Sequence, residues 1–265
     1  MKIGCCVNLL ARGNDRIGID WVETIAEIGY DYVELPLARV MELSDDDFDA
    51  LCERIKRAGI PCRSCCNLFP GDEIRVTGRN VDIAGVRAYL EKAFSRARRL
   101  GACVVVFGSP AARDVEEGFP REIAMLQFIK ALQIMDEYAG DGLTVVIEHV
   151  CKLEGNIIYT VEEGCMLRDI CRAENITVLA DTYHMFVEGE PIENISLAGK
   201  YLKHVHTANP IGRVYPKAGD GVDYKHIFDT LKSIGYDGGI SVEAFSDDPA
   251  NDARAALEVL RQADA

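Results

Sequence analysis

Eight short apolar segments recur along the chain at intervals of roughly 26 to 41 residues, with segments of helical periodicity between them. Most of these segments are continuous apolar runs and not alternating polar and apolar positions. Continuous runs are typical of parallel strands that are covered on both faces. We predict strands at residues 3–9, 32–37, 62–69, 103–108, 143–150, 176–181, 202–207 and 239–245.

The intervening segments carry helix signals. Trp21, Ile25 and Ile28 have helical spacing, and Gly29 is expected to end this helix. Ser44 and the three aspartates that follow it are typical of a helix start. A serine accepts a hydrogen bond from a free backbone N–H of the first turn, and the acidic side chains interact favourably with the positive end of the helix dipole. A glycine lies between a helix and the next strand in three similar phrases, Ala26-Glu-Ile-Gly29, Arg98-Arg-Leu-Gly101 and Lys232-Ser-Ile-Gly235. This recurrence favours repeated β-α units.

Eight β-α units most economically close into a (β/α)8 TIM barrel, because closure removes both exposed sheet edges. A length of 265 residues suits one such α/β barrel, so we expect a single domain over residues 1–265. An open doubly wound sheet is the alternative, but no G-x-G-x-x-G turn accompanies Gly4 or Gly13. The barrel predicts one site at the carboxyl ends of its strands.

The net charge of the chain limits the kinds of molecule that it is expected to bind. The chain has 29 basic and 43 acidic residues, a net charge of −14. Such a charge repels phosphate backbones and anionic membranes, so we expect neither nucleic acid nor membrane as a partner. No apolar run approaches the roughly 18 residues of a membrane span, and the amino-terminal segment lacks the features of a signal peptide. We therefore expect a cytoplasmic protein.

The ten cysteines are expected to be reduced and to pack as small apolar side chains, since several lie inside apolar runs. The segment Cys62-Arg-Ser-Cys65-Cys66 resembles one half of a zinc knuckle. Strand alternation would place Cys62 and Cys65 on opposite faces, however, and there is no second such pair. A zinc ribbon is therefore not expected.

Four potential metal ligands follow apolar runs at the ends of the late strands: Glu148, Asp181, His206 and Glu243. One such carboxylate is commonly only a surface group, but a barrel brings successive strand ends to one point. Several carboxylates there are costly to bury unless a cation neutralises them. Three carboxylates and one imidazole favour Mn(II) or Mg(II), with Co(II) also suited.

The two histidines of the seventh predicted strand share one face, and His206 lies nearer the barrel mouth than His204. We therefore predict His206 as a ligand and His204 as a hydrogen-bonded core residue. Glu34 and Asn67 lie near the ends of the second and third strands. Each of these two either reaches a hydroxyl of a bound substrate or is a structural polar group.

Several longer motifs resemble those of a known family. The most specific is Glu148-His-Val-Cys-Lys-Leu-Glu154-Gly-Asn156-Ile-Ile-Tyr-Thr160-Val-Glu-Glu163, and further ones are Asp181-Thr-Tyr-His184-Met, His206-Thr-Ala-Asn-Pro-Ile-Gly-Arg213 and Ser241-Val-Glu243. Through these residues the chain resembles the metal-dependent sugar isomerases and epimerases of the xylose isomerase-like barrel superfamily, especially the ketose 3-epimerases related to tagatose and allulose epimerases. The resemblance covers nearly the whole chain. Cys151 departs from it, because many members have asparagine there.

The resemblance implies a set of site residues. It makes Glu148, Asp181, His206 and Glu243 the ligands of a divalent metal, Mn(II) above the others, and Glu148 and Glu243 also the acid-base pair. It makes Glu154, His184 and Arg213 the sugar-binding residues. Read without the resemblance, His184 is either a hydroxyl contact or a supporting residue, and Arg213 binds either the substrate or a surface acid. A homo-oligomer is expected from the resemblance alone.

The implied function is an isomerase that interconverts ketoses at carbon 3. Proton removal beside a sugar carbonyl gives an enediolate, and return of a proton to the other face inverts the carbon. The alternatives are an aldose-ketose isomerase of the hydroxypyruvate isomerase type, or a lyase or dehydratase on the same scaffold. The charge and the five histidines disfavour a DNA-repair nuclease, and the presence of both glutamates disfavours a non-catalytic sugar-binding subunit.

Overall fold

The structure is a computed structural model that describes residues 1–71 and 73–265. Over those residues, eight parallel strands form one closed barrel in chain order, and β8 pairs with β1. The strands are β1 (Lys2–Cys6), β2 (Tyr32–Pro36), β3 (Cys62–Cys66), β4 (Val104–Phe107), β5 (Thr144–Glu148), β6 (Ile176–Asp181), β7 (Leu202–Thr207) and β8 (Gly239–Val242). The predicted TIM barrel is confirmed.

Helices connect the strands and cover the outside of the barrel. The α-helices are α1 (Val22–Ile28), α2 (Leu37–Met41), α3 (Asp45–Ala58), α4 (Ile83–Leu100), α5 (Pro110–Arg113), α6 (Arg121–Tyr138), α7 (Val161–Cys171), α8 (Thr182–Glu188), α9 (Tyr224–Ser233) and α10 (Pro249–Asp264). Short 3-10 helices occupy Asn8–Leu10, Ile19–Trp21 and Ile192–Tyr201. The Ser44 hydroxyl accepts the backbone N–H of Asp47, and Gly29 ends α1 with φ +102°, as predicted.

Six of the eight predicted strands run too far at their carboxyl ends, whereas β6 and β7 end at the predicted residues. The first predicted strand, residues 3–9, ends in the structure at Cys6, and the third, residues 62–69, ends at Cys66. The residues that follow are buried apolar side chains of the mouth loops, such as Val7 and Leu68. A buried loop residue has the same apolar signature as a strand residue, so the sequence does not separate them.

The expected alternation along β3 was wrong. Val33 of β2 pairs with Cys62, whereas Glu34 pairs with Ser64, so one additional residue is inserted on β3. This bulge places Cys62 and Cys65 in the same apolar layer, where the Cys62 thiol donates to the carbonyl of Ser64. All ten cysteines are free.

The barrel interior is divided between an apolar and a polar part. Its apolar part is a small cluster formed by Cys6, Cys66, Val104, Val106, Val146 and Leu179. Its polar part includes Glu34, His204 and Ser241, which hydrogen-bond to one another. The larger apolar core lies between the sheet and the helices. The strand ends above this interior hold the candidate site.

No helix among residues 1–71 and 73–265 combines the length and apolar character of a membrane span.

Candidate metal centre and active site

The four predicted strand-end residues lie together at the barrel mouth. Glu148 ends β5, Asp181 ends β6, His206 lies in β7 and Glu243 directly follows β8. One ligand atom from each lies within 4.8 Å of the others, and all four side chains are buried. Neighbouring strands produce this arrangement, since Asp181 pairs in register with His206. The cluster is therefore compact enough for all four to reach one ion.

Gly108, in the loop after β4, makes room for the cluster. A Cβ atom at position 108 would lie 1.8 Å from Oε2 of Glu148. Any larger residue there would displace this carboxylate, so Gly108 shapes the site.

His206 is held from below by a second carboxylate. Its Nε2 lies 2.9 Å from Oε1 of Glu34, while its Nδ1 lies 2.8 Å from Oε1 of Glu148 and 3.5 Å from Oε2 of Glu243. Burial lowers the pKa of the imidazole, but the three carboxylates outweigh burial and raise that pKa well above its ordinary value. These distances show that Nε2 faces Glu34 and that Nδ1 is the ring nitrogen facing the cluster.

Glu34 is a functional residue whose role the sequence left open. It is fully buried below His206, and its Oε2 accepts hydrogen bonds from Ser64 (2.7 Å), His204 (2.7 Å) and Ser241 (2.5 Å). Burial raises the pKa of the Glu34 carboxyl, but the two imidazoles beside it hold the pKa well below its usual range. Of the two readings left open, the structure favours the structural polar group.

One sequence signal pointed to this arrangement. Glu34 is an acidic residue inside the apolar run of β2, and such a carboxylate needs buried donors. His204 and His206 supply two of them from the far side of the barrel. Their pairing with Glu34 depends on the closure of the barrel, which a linear pattern does not specify.

The environment of Asp181 is incomplete without a cation. Its Oδ1 accepts the backbone N–H of Tyr183 at 2.8 Å, but its buried Oδ2 has no hydrogen-bond partner among the described residues. Burial raises the pKa of Asp181 to about 7, although Arg213 opposes this effect. A buried carboxylate oxygen that accepts no hydrogen bond, beside two further carboxylates and an imidazole, fits a hard divalent cation.

Arg213 lies across the open side of the cluster. Its Nη2 lies 2.5 Å from Oε2 of Glu243, and its Nη1 lies 2.9 Å from Oε1 of Glu154. The guanidinium also lies over the ring of Tyr183, and its Cζ atom is 4.6 Å from the centroid of that ring. Its carbonyl accepts the N–H of Phe245, which fixes this loop beside the residues that follow β8. The side chain thus pairs with the buried Glu243 of the cluster and with the exposed Glu154 at the rim of the mouth.

His184 lies beside Asp181 in α8. The backbone N–H of Cys151 donates to its Nδ1 at 3.1 Å, which leaves the proton on Nε2. Nε2 lies 3.4 Å from Oδ2 of Asp181 and 4.0 Å from Oε2 of Glu154. Burial lowers the pKa of His184 well below its ordinary value, so this imidazole is neutral. Because Cys151 acts through its backbone, its difference from asparagine does not remove this contact.

A cavity of about 220 Å³ occupies the other half of the barrel mouth. Its lining includes Asn8, Asn67, Phe69 and Ser109, from the loops that follow β1, β3 and β4. Ser109 is next to Gly108, which lies against Glu148. The cavity and the acidic cluster therefore share one mouth, and Asn67 is placed to contact a molecule bound there.

Comparisons with known proteins agree with this geometry. A family model described as "Xylose isomerase-like TIM barrel" matches residues 22–263. The chain is 28% identical over 253 residues to the ketose 3-epimerase of Arthrobacter globiformis, which covers 93% of this chain and 84% of that protein. It is 23% identical over 231 residues to the D-psicose 3-epimerase of Agrobacterium fabrum, which covers 85% of this chain and 78% of that protein.

A solved structure extends the likeness to three dimensions. The D-allulose 3-epimerase of a Methylomonas species, in complex with D-allulose, has a TM-score of 0.84 and 25% sequence identity. The match covers 99% of this chain and 96% of that one. The named activities of these relatives are those of isomerases, because an epimerase interconverts isomers.

Proposed function

Because the chain belongs to the xylose isomerase-like TIM barrel family, we propose that it is a metal-dependent sugar epimerase that inverts carbon 3 of a ketose. The observation that carries this proposal is the approach of two carboxylates to one imidazole nitrogen. Glu148 from β5 and Glu243 from beyond β8 both lie within 3.5 Å of Nδ1 of His206. The names of the ketose 3-epimerase relatives support the same substrate class.

We propose Mn(II) as the metal, held by Glu148, Asp181, His206 and Glu243. The Oδ2 of Asp181, which accepts no hydrogen bond among the described residues, and the oxygen-rich donor set support a hard cation. When bound, such a cation supplies positive charge that stabilises the negative charge developing on the substrate oxygens. Glu34 orients His206 so that Nδ1 remains directed at the cation.

The two glutamates are the proposed acid and base. One removes the proton from carbon 3 beside the ketose carbonyl, which leaves an enediolate, and the other returns a proton to the opposite face. Asp181 and His206 come from the two strands between those of Glu148 and Glu243. A sugar carbon bound between the carboxylates is therefore approached from two sides. Each positioned acid or base contributes about 10²- to 10⁴-fold to the rate.

The remaining site residues bind the sugar in this proposal. Arg213 has donors directed toward Glu154 and Glu243, so an incoming hydroxyl can take one of these donors and free Glu243 to act on carbon 3. Nε2 of His184 donates to a second hydroxyl. The cavity lined by Asn67 and Phe69 accommodates the end of the sugar remote from this carbon.

The test is isotope exchange with a panel of ketoses. Mn(II)-loaded protein is incubated with each ketose in heavy water, and the products are analysed by NMR. The proposal predicts deuterium on carbon 3 of the substrate and its epimer. Deuterium on carbon 1 or 2 alone would instead identify an aldose-ketose isomerase, and loss of water or of an aglycone would identify a dehydratase or lyase.

Self-association remains a further proposal. Exposed apolar side chains lie on the adjacent helices α6 and α7, namely Ile123, Leu126, Met166 and Ile170. Their exposure supports a homo-oligomer that buries part of these helices. Light scattering of the purified chain measures the mass, and a monomer at all concentrations would refute this proposal.

A further inference from the structure

We propose that Cys6, Cys66 and Glu243 form a second cation site, which takes a thiophilic divalent cation such as Zn(II) or Cd(II). Cys6 ends β1 and Cys66 ends β3, and both face the barrel interior. Their Sγ atoms lie 3.4 Å apart, and Sγ of Cys6 lies 3.7 Å from Oε1 of Glu243. Sγ of Cys6 is thus close to both other proposed ligands, directly beside the acidic cluster.

The two separations from Sγ of Cys6 suit tetrahedral coordination. Zinc bonds of about 2.3 Å to sulfur and about 2.0 Å to oxygen place two sulfur ligands about 3.8 Å apart, and a sulfur and an oxygen about 3.5 Å apart. The separations of Cys6 from Cys66 and from Glu243 differ from these values by a few tenths of an ångström, which small side-chain rotations supply. Binding by all three ligands also requires Cys66 and Glu243 to rotate toward each other. A water molecule from the mouth completes the coordination.

Glu34 is a weaker third ligand than Glu243. One of its oxygens lies within 4.8 Å of both sulfur atoms. Both of its oxygens are already engaged by hydrogen bonds, from His206 on one side and from His204 and two serines on the other. A cation that took Glu34 would break this network, whereas Oε1 of Glu243 has only the Cys6 thiol as a neighbouring donor among the described contacts.

The donor chemistry distinguishes this site from the proposed Mn(II) site. Thiols buried in apolar surroundings keep their protons, so a cation binds only if it displaces them. Each thiol then releases its proton to water, and the sulfur binds the cation. Mn(II) and Mg(II) prefer oxygen and do not favour this exchange, while Zn(II) and Cd(II) bind thiolates strongly. The two sites share Glu243, so their occupancy is coupled.

This sharing has a consequence that rests on the proposed function. A thiophilic cation beside Oε1 of Glu243 engages one of the two proposed acid-base groups. Zn(II) or Cd(II) then inhibits the epimerase while Mn(II) is still bound. Binding at the thiols does not depend on the proposed function, and it is measured without a substrate.

The experiment is a titration of the reduced, metal-free full chain with Cd(II), followed by the ultraviolet charge-transfer absorption of cadmium-thiolate bonds. We expect a saturable band in the wild type. Cys6→Ser and Cys66→Ser should each lose the same part of that band, because one cation binds both sulfurs. Cys5→Ser is the matched control: its thiol lies on the other face of β1, 3.2 Å from the Tyr215 hydroxyl. It should retain that part of the band.

Two results would overturn the proposal. One is a band that Cys6→Ser and Cys66→Ser both retain, which would mean that other cysteines bind the cadmium. The other is an equal loss in Cys5→Ser, which would mean a general effect of substitution in β1. Cys6→Ala and circular dichroism of every variant separate loss of a ligand from loss of folding. A failure of the ketose screen leaves this titration unaffected, so the two proposals fail independently.

Discussion

Nε2 of His206 lies 2.9 Å from Oε1 of Glu34, and this contact turns the opposite ring nitrogen toward Glu148 and Glu243. The two residues come from β7 and β2, which lie on different sides of the barrel. The contact therefore exists only because the sheet is closed. It links the polar interior of the barrel to the cluster at its mouth.

Replacing Glu34 with glutamine should weaken Mn(II) binding about 10- to 100-fold, which is the usual effect of removing the partner of a metal-binding histidine. Glutamine keeps the shape but loses the charge that orients His206. Calorimetric titration of the metal-free protein measures the affinity. Glu190→Gln is a suitable control, because Glu190 is a buried carboxylate that contacts Val161 and Asn194 away from the site. Equal affinities in Glu34→Gln and wild type would refute the positioning role.

Glu148→Gln and Glu243→Gln should each lower the turnover number by about 10² to 10⁴ while the fold is retained. Each amide keeps the size of the side chain but cannot exchange the proton at carbon 3. Turnover is measured with whichever ketose the screen identifies, at saturating metal, and circular dichroism checks the fold. Full activity in either variant would show that this residue is not an acid or base.

Arg213→Gln should lower kcat/KM by about 10- to 100-fold, since a charge-assisted hydrogen bond contributes roughly 1.5–3 kcal/mol. The larger part of this change should be a rise in KM, because the arginine binds the sugar in this account. Steady-state kinetics separate KM from kcat. Arg75→Gln is a comparison variant, since Arg75 contacts carbonyls of Ala111 and Asp114 and not the acidic cluster. An unchanged KM in Arg213→Gln would exclude a role in binding.

His149 makes stability depend on pH. Burial lowers its pKa from 6.5 to about 4. Between pH 6.5 and about 4, His149 is therefore protonated in the unfolded chain but neutral in the folded chain. This contribution to stability is present above pH 6.5 and is lost as the pH falls toward 4. His149→Gln lacks it, so the gap in unfolding free energy between wild type and variant should shrink by up to roughly 3 kcal/mol over that range. Urea unfolding with a chelator present measures this gap, and a gap independent of pH would contradict the assignment.

Much of the architecture was predictable because its causes are local. The apolar runs of the strands, the Ser44 helix start and the glycines that end helices all act through neighbouring residues. The four-residue cluster was also predictable, because any closed barrel brings the ends of β5 to β8 to one point. Its detailed contacts were not predictable from these patterns.

The missed features depend on register or on contacts across the barrel. The bulge in β3 reverses the expected faces, and a periodic pattern contains no sign of an inserted residue. Glu34 and His206 lie 172 positions apart in the chain, and Cys6 and Cys66 lie on strands separated by β2. Only the closed structure shows that these side chains meet.

The central claim is that four strand-end side chains bind one divalent cation, and Asp181 tests it most directly because it has no acid-base role in the proposed reaction. Mn(II) binding to metal-free wild type and Asp181→Asn is followed by electron paramagnetic resonance. The account predicts one Mn(II) per chain in the wild type and an affinity lower by more than about 100-fold in the variant, since the asparagine amide supplies no negative charge. Equal binding by both proteins would contradict it.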